Sequence, residues 1–351
     1  MKQQARGGLL LVLVALTASP SDAAGTLPEL LSAEIGRNRA MLDALPSSPL
    51  VDGERPRVKG QLDDALALLK ANRVNTAIET LSSAIPGVSA LARAGTGWDD
   101  TGKGSGKGID ALAKEWEDVG RVIRLDRAKF PAKKPAGQSA FIRAQAEQSL
   151  GQIDEHYAVA VDYGRFSGVT SGAYYLGRAE GHLALALFLS RLTPTSSKGA
   201  AAVTSFAAPI ARVENDIVTA YARPGSTAQH TNFILANSSL KLAKELDQRG
   251  SPGGALVTML RSLFALSLAT MPPAGPEMEK PLVAKADEFE KRLAASDRDE
   301  SIGLAFVEKA RIALERSHAG GEAGGRERLR AAALMEAVVP RYIEVTKGCE
   351  K

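Results

Sequence analysis

Short runs rich in glycine, proline and serine interrupt this chain repeatedly, and nothing between them alternates β-branched with polar residues as a sheet strand would. The interruptions fall at Pro46–Pro56, Gly95–Gly108, Phe130–Gly137, Gly164–Gly172, Pro194–Gly199, Pro224–Ser226, Gly250–Gly254, Pro272–Pro276, Ser296–Ser301 and Gly320–Gly325. The segments they separate are rich in leucine and alanine, and aromatic residues make up only 5% of the chain. This pattern predicts an all-α protein of about eleven or twelve helices. Short loops imply antiparallel neighbours, so the expected architecture is a set of stacked antiparallel helical hairpins, as in an α-solenoid. Helix-start chemistry supports the cuts: Ser296, Asp297 and Asp299 precede IGLAFVEKARIALE and offer acceptors to its free N–H groups, with negative charge at the positive helix end.

Two hairpins favour the stacked arrangement. In LDDALALLKANRVNTAIETLSSAI, Ala77, Leu81 and Ala84 give a small, bulky, small series on the second helix, with Asn72 at the turn. In SLKLAKELDQRGSPGGALVTMLRSL the same logic recurs through Leu242, Ala243, Leu246, Gly250, Ala255, Met259 and Ser262. This spacing resembles the tetratricopeptide repeat, whose small residues let two antiparallel helices nest. Gln61 and Ser239 stand where that repeat carries a bulky aromatic, and no functional residue carries over from the resemblance.

The first residues, MKQQARGGLLLVLVALTASPSDAAG, place Lys2 and Arg6 before an apolar run and then small residues. That is the layout of a signal peptide, 1–23, with cleavage expected after Ala23. The expected localisation is export: periplasmic in a bacterium, otherwise secreted. A helical region at 24–137, with Gly/Lys and Pro/Lys loops, would follow, then a helical-hairpin region at 138–351 continuous with it. No later segment offers about 18 uninterrupted apolar residues, so the chain is not expected to be membrane-embedded. The formal charge of +4, or +3 without Lys2, Arg6 and Asp22, gives no case for a nucleic-acid partner. Cys349 is the only cysteine, which excludes an internal disulfide and leaves a Cys349-linked dimer open.

Several catalytic patterns fail on inspection. GKGSGKG at 102–108 has three residues between Gly102 and Gly106, and Gly108 in place of the magnesium-binding hydroxyl, so it is a basic loop and not a phosphate loop. Ser238 and Lys241 have serine–lysine spacing without the partner motifs of penicillin-recognising enzymes. There is no Gly-x-Ser-x-Gly, His-Glu-x-x-His, Cys-x-x-Cys or repeated Glu-x-x-His. No catalytic residue, metal site or cofactor is predicted.

One stretch concentrates polar aromatic residues: HYAVAVDYGRFSGVTSGAYYLGRAEGH, from His156 to His182, holds two of the four histidines and four of the six tyrosines. With one helix ending at Tyr163, a turn over Gly164–Gly172 and a second helix over Ala173–Leu192, each histidine lies seven residues from a tyrosine on its own helical face. Folding the hairpin at its midpoint brings Tyr163 level with Tyr175 and His156 level with His182. These four, with Arg178, are the candidate ligand-binding residues. Asp154, Glu155 and Glu180 are near enough in sequence for a metal to be weighed, and helix packing alone would also use such residues. LALALFL at Leu183–Leu189 is apolar on every side, as in a central helix, and Ala173, Gly177 and Gly181 recur every fourth residue, where another backbone can approach. Trp98 is expected to pin its Gly-rich loop, and Trp116 to join the core. The function expected is a non-catalytic scaffold or binding module for a protein or peptide partner. The alternative is an envelope small-ligand receptor or enzyme with its site at this hairpin, which perturbed histidines would favour.

Overall fold

The computed structural model describes residues 25–101, 106–192, 198, 205–223 and 226–347. The signal peptide expected at 1–23, residues 102–105 of the Gly/Lys loop, most of the Pro194–Gly199 break, Pro224 and Cys349 lie outside the described residues. Among the described residues every extended element is helical, and a single bridge between Trp98 and Lys107 is the one strand-like feature. The all-α expectation holds.

The chain forms two compact units, each discontinuous in sequence: 1–134 with 149–192, and 135–148 with 193–351. The first contains α1 (Leu27–Asp43), α2 (Pro49–Lys70), α3 (Val74–Ala94), α4 (Ile109–Arg127), most of α5 (Ala140–Phe166) and α6 (Val169–Ser190). The second takes the opening turns of α5, then α7 (Ala207–Tyr221), α8 (His230–Gln248), α9 (Pro252–Thr270), α10 (Glu279–Ala294), α11 (Ser301–Ser317) and α12 (Gly321–Ala333), which passes through a π-helical turn at Leu334–Val338 into α13 (Val339–Lys347). The hairpin Ser149–Leu192 therefore packs with the first unit.

Both hairpins singled out in the sequence are present, and both first helices stop in the same way. Asn72 adopts φ +58°, with Arg73 N–H donating to Leu68 O at 2.8 Å and Asn72 N–H to Leu69 O at 3.0 Å. Gly250 repeats this at φ +71°, with Ser251 N–H to Leu246 O at 2.9 Å. A left-handed residue after the last turn lets those N–H groups satisfy the final carbonyls, which is why glycine or asparagine stands there. Across α8 and α9 the Ser262 hydroxyl donates to Ala236 O at 2.7 Å, so the small residue also closes the hairpin with a bond.

Two breaks and one cap are corrected. The Pro46–Pro56 break is narrower than expected: Ser48 caps α2 through Val51 N–H, Pro49 takes the first helical position, and Pro56 lies inside the helix. A proline there forfeits one backbone bond, and the burial of Val51, Val58 and Leu62 keeps the helix continuous across it. The Gly164–Gly172 turn shrinks to Ser167 and Gly168, because α5 runs to Phe166 and α6 starts at Val169. Gly164 and Gly172 are instead the contact point of the two helices: a Cβ on Gly172 would stand 2.5 Å from Ala160 O and 2.8 Å from Gly164 Cα. Before α11, Glu300 is the N-cap, and Asp299 divides its carboxylate between Ser301 N–H at 3.1 Å and the first N–H of α5, on Ala140, at 2.7 Å. Ser296 accepts from Arg298 N–H and so shapes the preceding turn.

By length and composition α9 is apolar enough to cross a membrane, although Arg261 interrupts it; 67% of that window is buried within the fold. Its N-terminus is closed by Glu147 of α5, which accepts from Gly254 N–H at 2.8 Å and is itself held by Arg143 at 2.6 Å. A Cβ on Gly254 would meet Glu147 Cβ at 2.9 Å, so glycine permits the approach.

Candidate functional site

The site candidate is the α5–α6 hairpin, and its two helices are positioned from outside as well as by each other. Asp100, in the loop before α4, accepts from Thr170 N–H at 2.8 Å and so caps the first turn of α6. On the α3 side of α6, Gly177 and Gly181 remove side chains where α3 passes: their Cβ atoms would lie 2.5 Å from Ser89 O and 2.5 Å from Pro86 Cα. On the α4 side of the hairpin, Trp116 and Tyr157 stack at 4.6 Å, and each donates to the other's backbone carbonyl, at 2.9 and 3.1 Å. Trp116 is only partly buried, packed against the core cluster that includes Leu112, Ile153 and Leu176.

The same unit holds a buried ionic cluster. Arg93 of α3 grips Glu180 of α6 with two bonds of 2.6 Å and also reaches Glu115 of α4, to which Lys107 adds a 2.8 Å contact. Lys107 lies 5.0 Å over the Trp98 ring, and the Trp98 indole N–H donates to Arg93 O at 2.8 Å. Trp98 thus pins its loop, as expected. Burial would favour loss of the Arg93 proton, and the carboxylates of Glu180 and then Glu115 reverse that, holding its proton affinity above the ordinary value. Two cations and two carboxylates make the cluster neutral, which is the condition for burying it. The sequence reading missed it. Its only local signal is a lone arginine in the apolar run AIPGVSALARA.

The five predicted ligand residues come together. Tyr163 and Tyr175 stack with ring centroids 4.2 Å apart, His156 meets Tyr175 edge-on at 5.9 Å, and His156 meets His182 edge-on at 5.1 Å. Burial rises along that series, from Tyr163 at 40% exposed to His156 at 9% and His182 at 1%. Arg178 sits on α6 one turn after Tyr175 and one turn before His182, so the three share a face. The acidic residues weighed for a metal are elsewhere: Glu180 is held by Arg93, Asp154 pairs with Arg127 at 2.8 Å, and Glu155 is exposed. No group of three or more His, Cys, Asp or Glu able to hold a metal occurs among the described residues.

The polar atoms of this group lack partners. His182 Nδ1 and Nε2, His156 Nε2 and Arg178 Nε are all buried without a hydrogen bond, four of the eleven such atoms among the described residues. A neutral imidazole carries one donor and one acceptor, so His182 leaves both unmet. Burial, then the charge of Arg178, pushes the His156 proton affinity down to about 4. Burial, then His156 and Arg178, hold His182 well below the usual range. At neutral pH both rings are uncharged. Burial first, and then hydrogen bonding with Tyr163, raise the Tyr175 hydroxyl.

Two other features bear on binding. Val218 and Tyr221 of α7 and Ile234 and Leu235 of α8 are 63%, 43%, 53% and 51% exposed. Tyr221 packs on His230 and Phe233, one turn and one residue before Ile234, so Val218, Tyr221 and Ile234 lie along one hairpin. An open groove of about 430 Å³ runs beside α10, lined by Glu279, Val283, Asp287, Leu314 and His318. Its carboxylates are committed, Glu279 to Arg328 and Asp287 to Arg311. Comparison with protein-family models, curated proteins and solved structures finds no match to this chain, so its site is read from its own geometry.

Proposed function

We propose that this chain is an exported, non-catalytic helical binding protein whose ligand site is the α5–α6 hairpin around His156, Tyr163, Tyr175, Arg178 and His182. The observation that carries the reading is the gathering of four unpartnered buried polar atoms in one place. Each such atom costs about 1–3 kcal/mol when nothing answers it, and natural folds keep such groups together where a ligand or ordered water does so. Around it, Arg93, Glu115, Glu180, Trp98, Trp116 and Tyr157 all have partners within the unit. Export rests on the residues before Ala24 alone. Native mass spectrometry of the mature protein, purified from an exporting host without added metals or chelators, tests the reading. Expected is excess mass that disappears on denaturation and is absent from His182→Phe. The bare polypeptide mass, with no change in the ring signals of the histidines on adding extract from that host, would overturn it.

A protein or peptide partner is the second reading, favoured by the exposed apolar side chains on α7 and α8. A photo-crosslinking residue in place of Leu235 should trap one discrete partner in the exporting host, and Val218→Asp should abolish the trap. A ladder of products unchanged by Val218→Asp would count against it.

A further inference from the structure

We propose that the hairpin site takes the carboxylate of a small organic acid, with the body of the acid lying along the Tyr163–Tyr175 stack. This rests on the hairpin being a ligand site, and it names the chemistry of the ligand.

The donor set decides the charge. Arg178 Nε is a donor in every state, and each neutral imidazole contributes one N–H, so the unpartnered atoms can present up to three donors toward one occupant. Arg178 supplies the positive charge here, and no carboxylate pairs with it among the described residues. Asp154 is bound to Arg127 and Glu180 to Arg93, so neither can turn to it without breaking a pair. What is lacking is an acceptor that brings negative charge.

Alternatives fail on the same residues. A metal ion would find two imidazoles, no carboxylate and a guanidinium that repels it. A phosphate dianion would leave one of its charges uncompensated in a buried place, where burial costs several kcal/mol per ion. A carboxylate carries one charge against the one charge of Arg178 and accepts several hydrogen bonds through two oxygens. The approach decides the rest of the ligand. His182 is 1% exposed and Tyr163 40% exposed, so the chain of ring contacts through Tyr175 and His156 leads from the surface to His182, and the proposed acid would lie along it. An aromatic or short aliphatic acid satisfies both ends.

The test is titration of the mature full-length protein at pH 7, with benzoate, benzamide, inorganic phosphate and zinc chloride as separate probes, read from the imidazole nitrogen resonances of His156 and His182. Benzoate should give saturable shifts of both rings, and benzamide, its uncharged isostere, none at the same concentration. Arg178→Gln should weaken benzoate at least about tenfold, as expected for loss of a charge-assisted bond. Arg178→Lys, which keeps the charge and loses the planar N–H, should fall between, and Arg326→Ala, at an exposed ion pair, should bind as the parent does. An unchanged helical circular-dichroism spectrum and cooperative thermal unfolding without ligand certify that each variant is folded. Saturation by zinc, phosphate or benzamide but not benzoate would overturn the carboxylate while leaving a ligand site. Rings that none of the four probes moves would overturn both.

Discussion

Arg93 shows how much one residue can hold. Its guanidinium ties α3 to Glu180 of α6 and Glu115 of α4, and its carbonyl takes the Trp98 indole. Removing one member of a buried pair leaves the other charged and unanswered, which costs about 3–5 kcal/mol. Arg93→Leu should therefore lose stability of that order in urea unfolding and loosen the Trp98 loop, seen as a red shift of tryptophan emission. By contrast, Arg326→Ala breaks a pair with Glu322 in which both side chains are mostly exposed, and should change stability by less than about 1 kcal/mol. The Arg93–Glu180 pair was not legible in the sequence, because its members lie 87 residues apart and nothing in either neighbourhood names the other. Tyr163, Tyr175, His156 and His182 were legible because they belong to one hairpin, where register follows from the midpoint. That midpoint survived the correction of the turn: shortening it to Ser167 and Gly168 lengthened both helices about equally.

Among elements, α6 is the one whose geometry the glycines set. Gly177 and Gly181 face Ser89, Ala90 and Pro86 backbone atoms, which cannot rotate aside as a side chain can. Gly177→Ala should destabilise by about 1–3 kcal/mol, the range for overpacking. Gly60 in α2 has nothing within 4 Å of a Cβ, so Gly60→Ala should stabilise by about 0.5–1 kcal/mol through helix propensity alone. Thermal unfolding of the two variants checks the pair, and equal shifts of one sign would show that propensity, not packing, governs both. The every-fourth-residue spacing announced the close approach. The sequence reading erred where glycine and proline have two uses: Gly164 and Gly172 read as a turn and serve as a helix contact, and Pro56 read as the end of a break and lies within a helix. Composition cannot separate those uses, since the difference lies in which helix packs alongside.

For the whole molecule, helical content was legible and the partition into units was not. Gln148 and Ser149 lie on opposite sides of the division, in mid-helix, with no punctuation near them; what divides them is that Phe141, Ile142 and Ala146 are buried in one unit while Ile153 and Ala160 belong to the core of the other. The hairpin leaves a signature that any unfolding probe can read, because its histidines are buried uncharged. Above pH 6.5 they are neutral in folded and unfolded chains alike and do not change stability. Below it, the unfolded chain takes up protons that the folded one refuses, so stability falls as pH falls, until the folded rings titrate, at about 4 for His156, with His182 also held well below the usual range. From His156 alone the loss should be about 2 kcal/mol at pH 5 and approach about 3 kcal/mol near pH 4. His182 adds to it in the same direction. The facing groups cannot reverse the sign: the charge of Arg178 opposes protonation, burial raises the Tyr175 hydroxyl and keeps it neutral, and Glu180 and Asp154 are held by their arginines. Replacing His156 and His182 together by phenylalanine should flatten the stability profile between pH 6.5 and 4.5, and a bound carboxylate should flatten it too, by giving the protonated rings a counter-charge. A parent profile as flat as that of the double variant would mean that these imidazoles are hydrated, and that the hairpin is open to water.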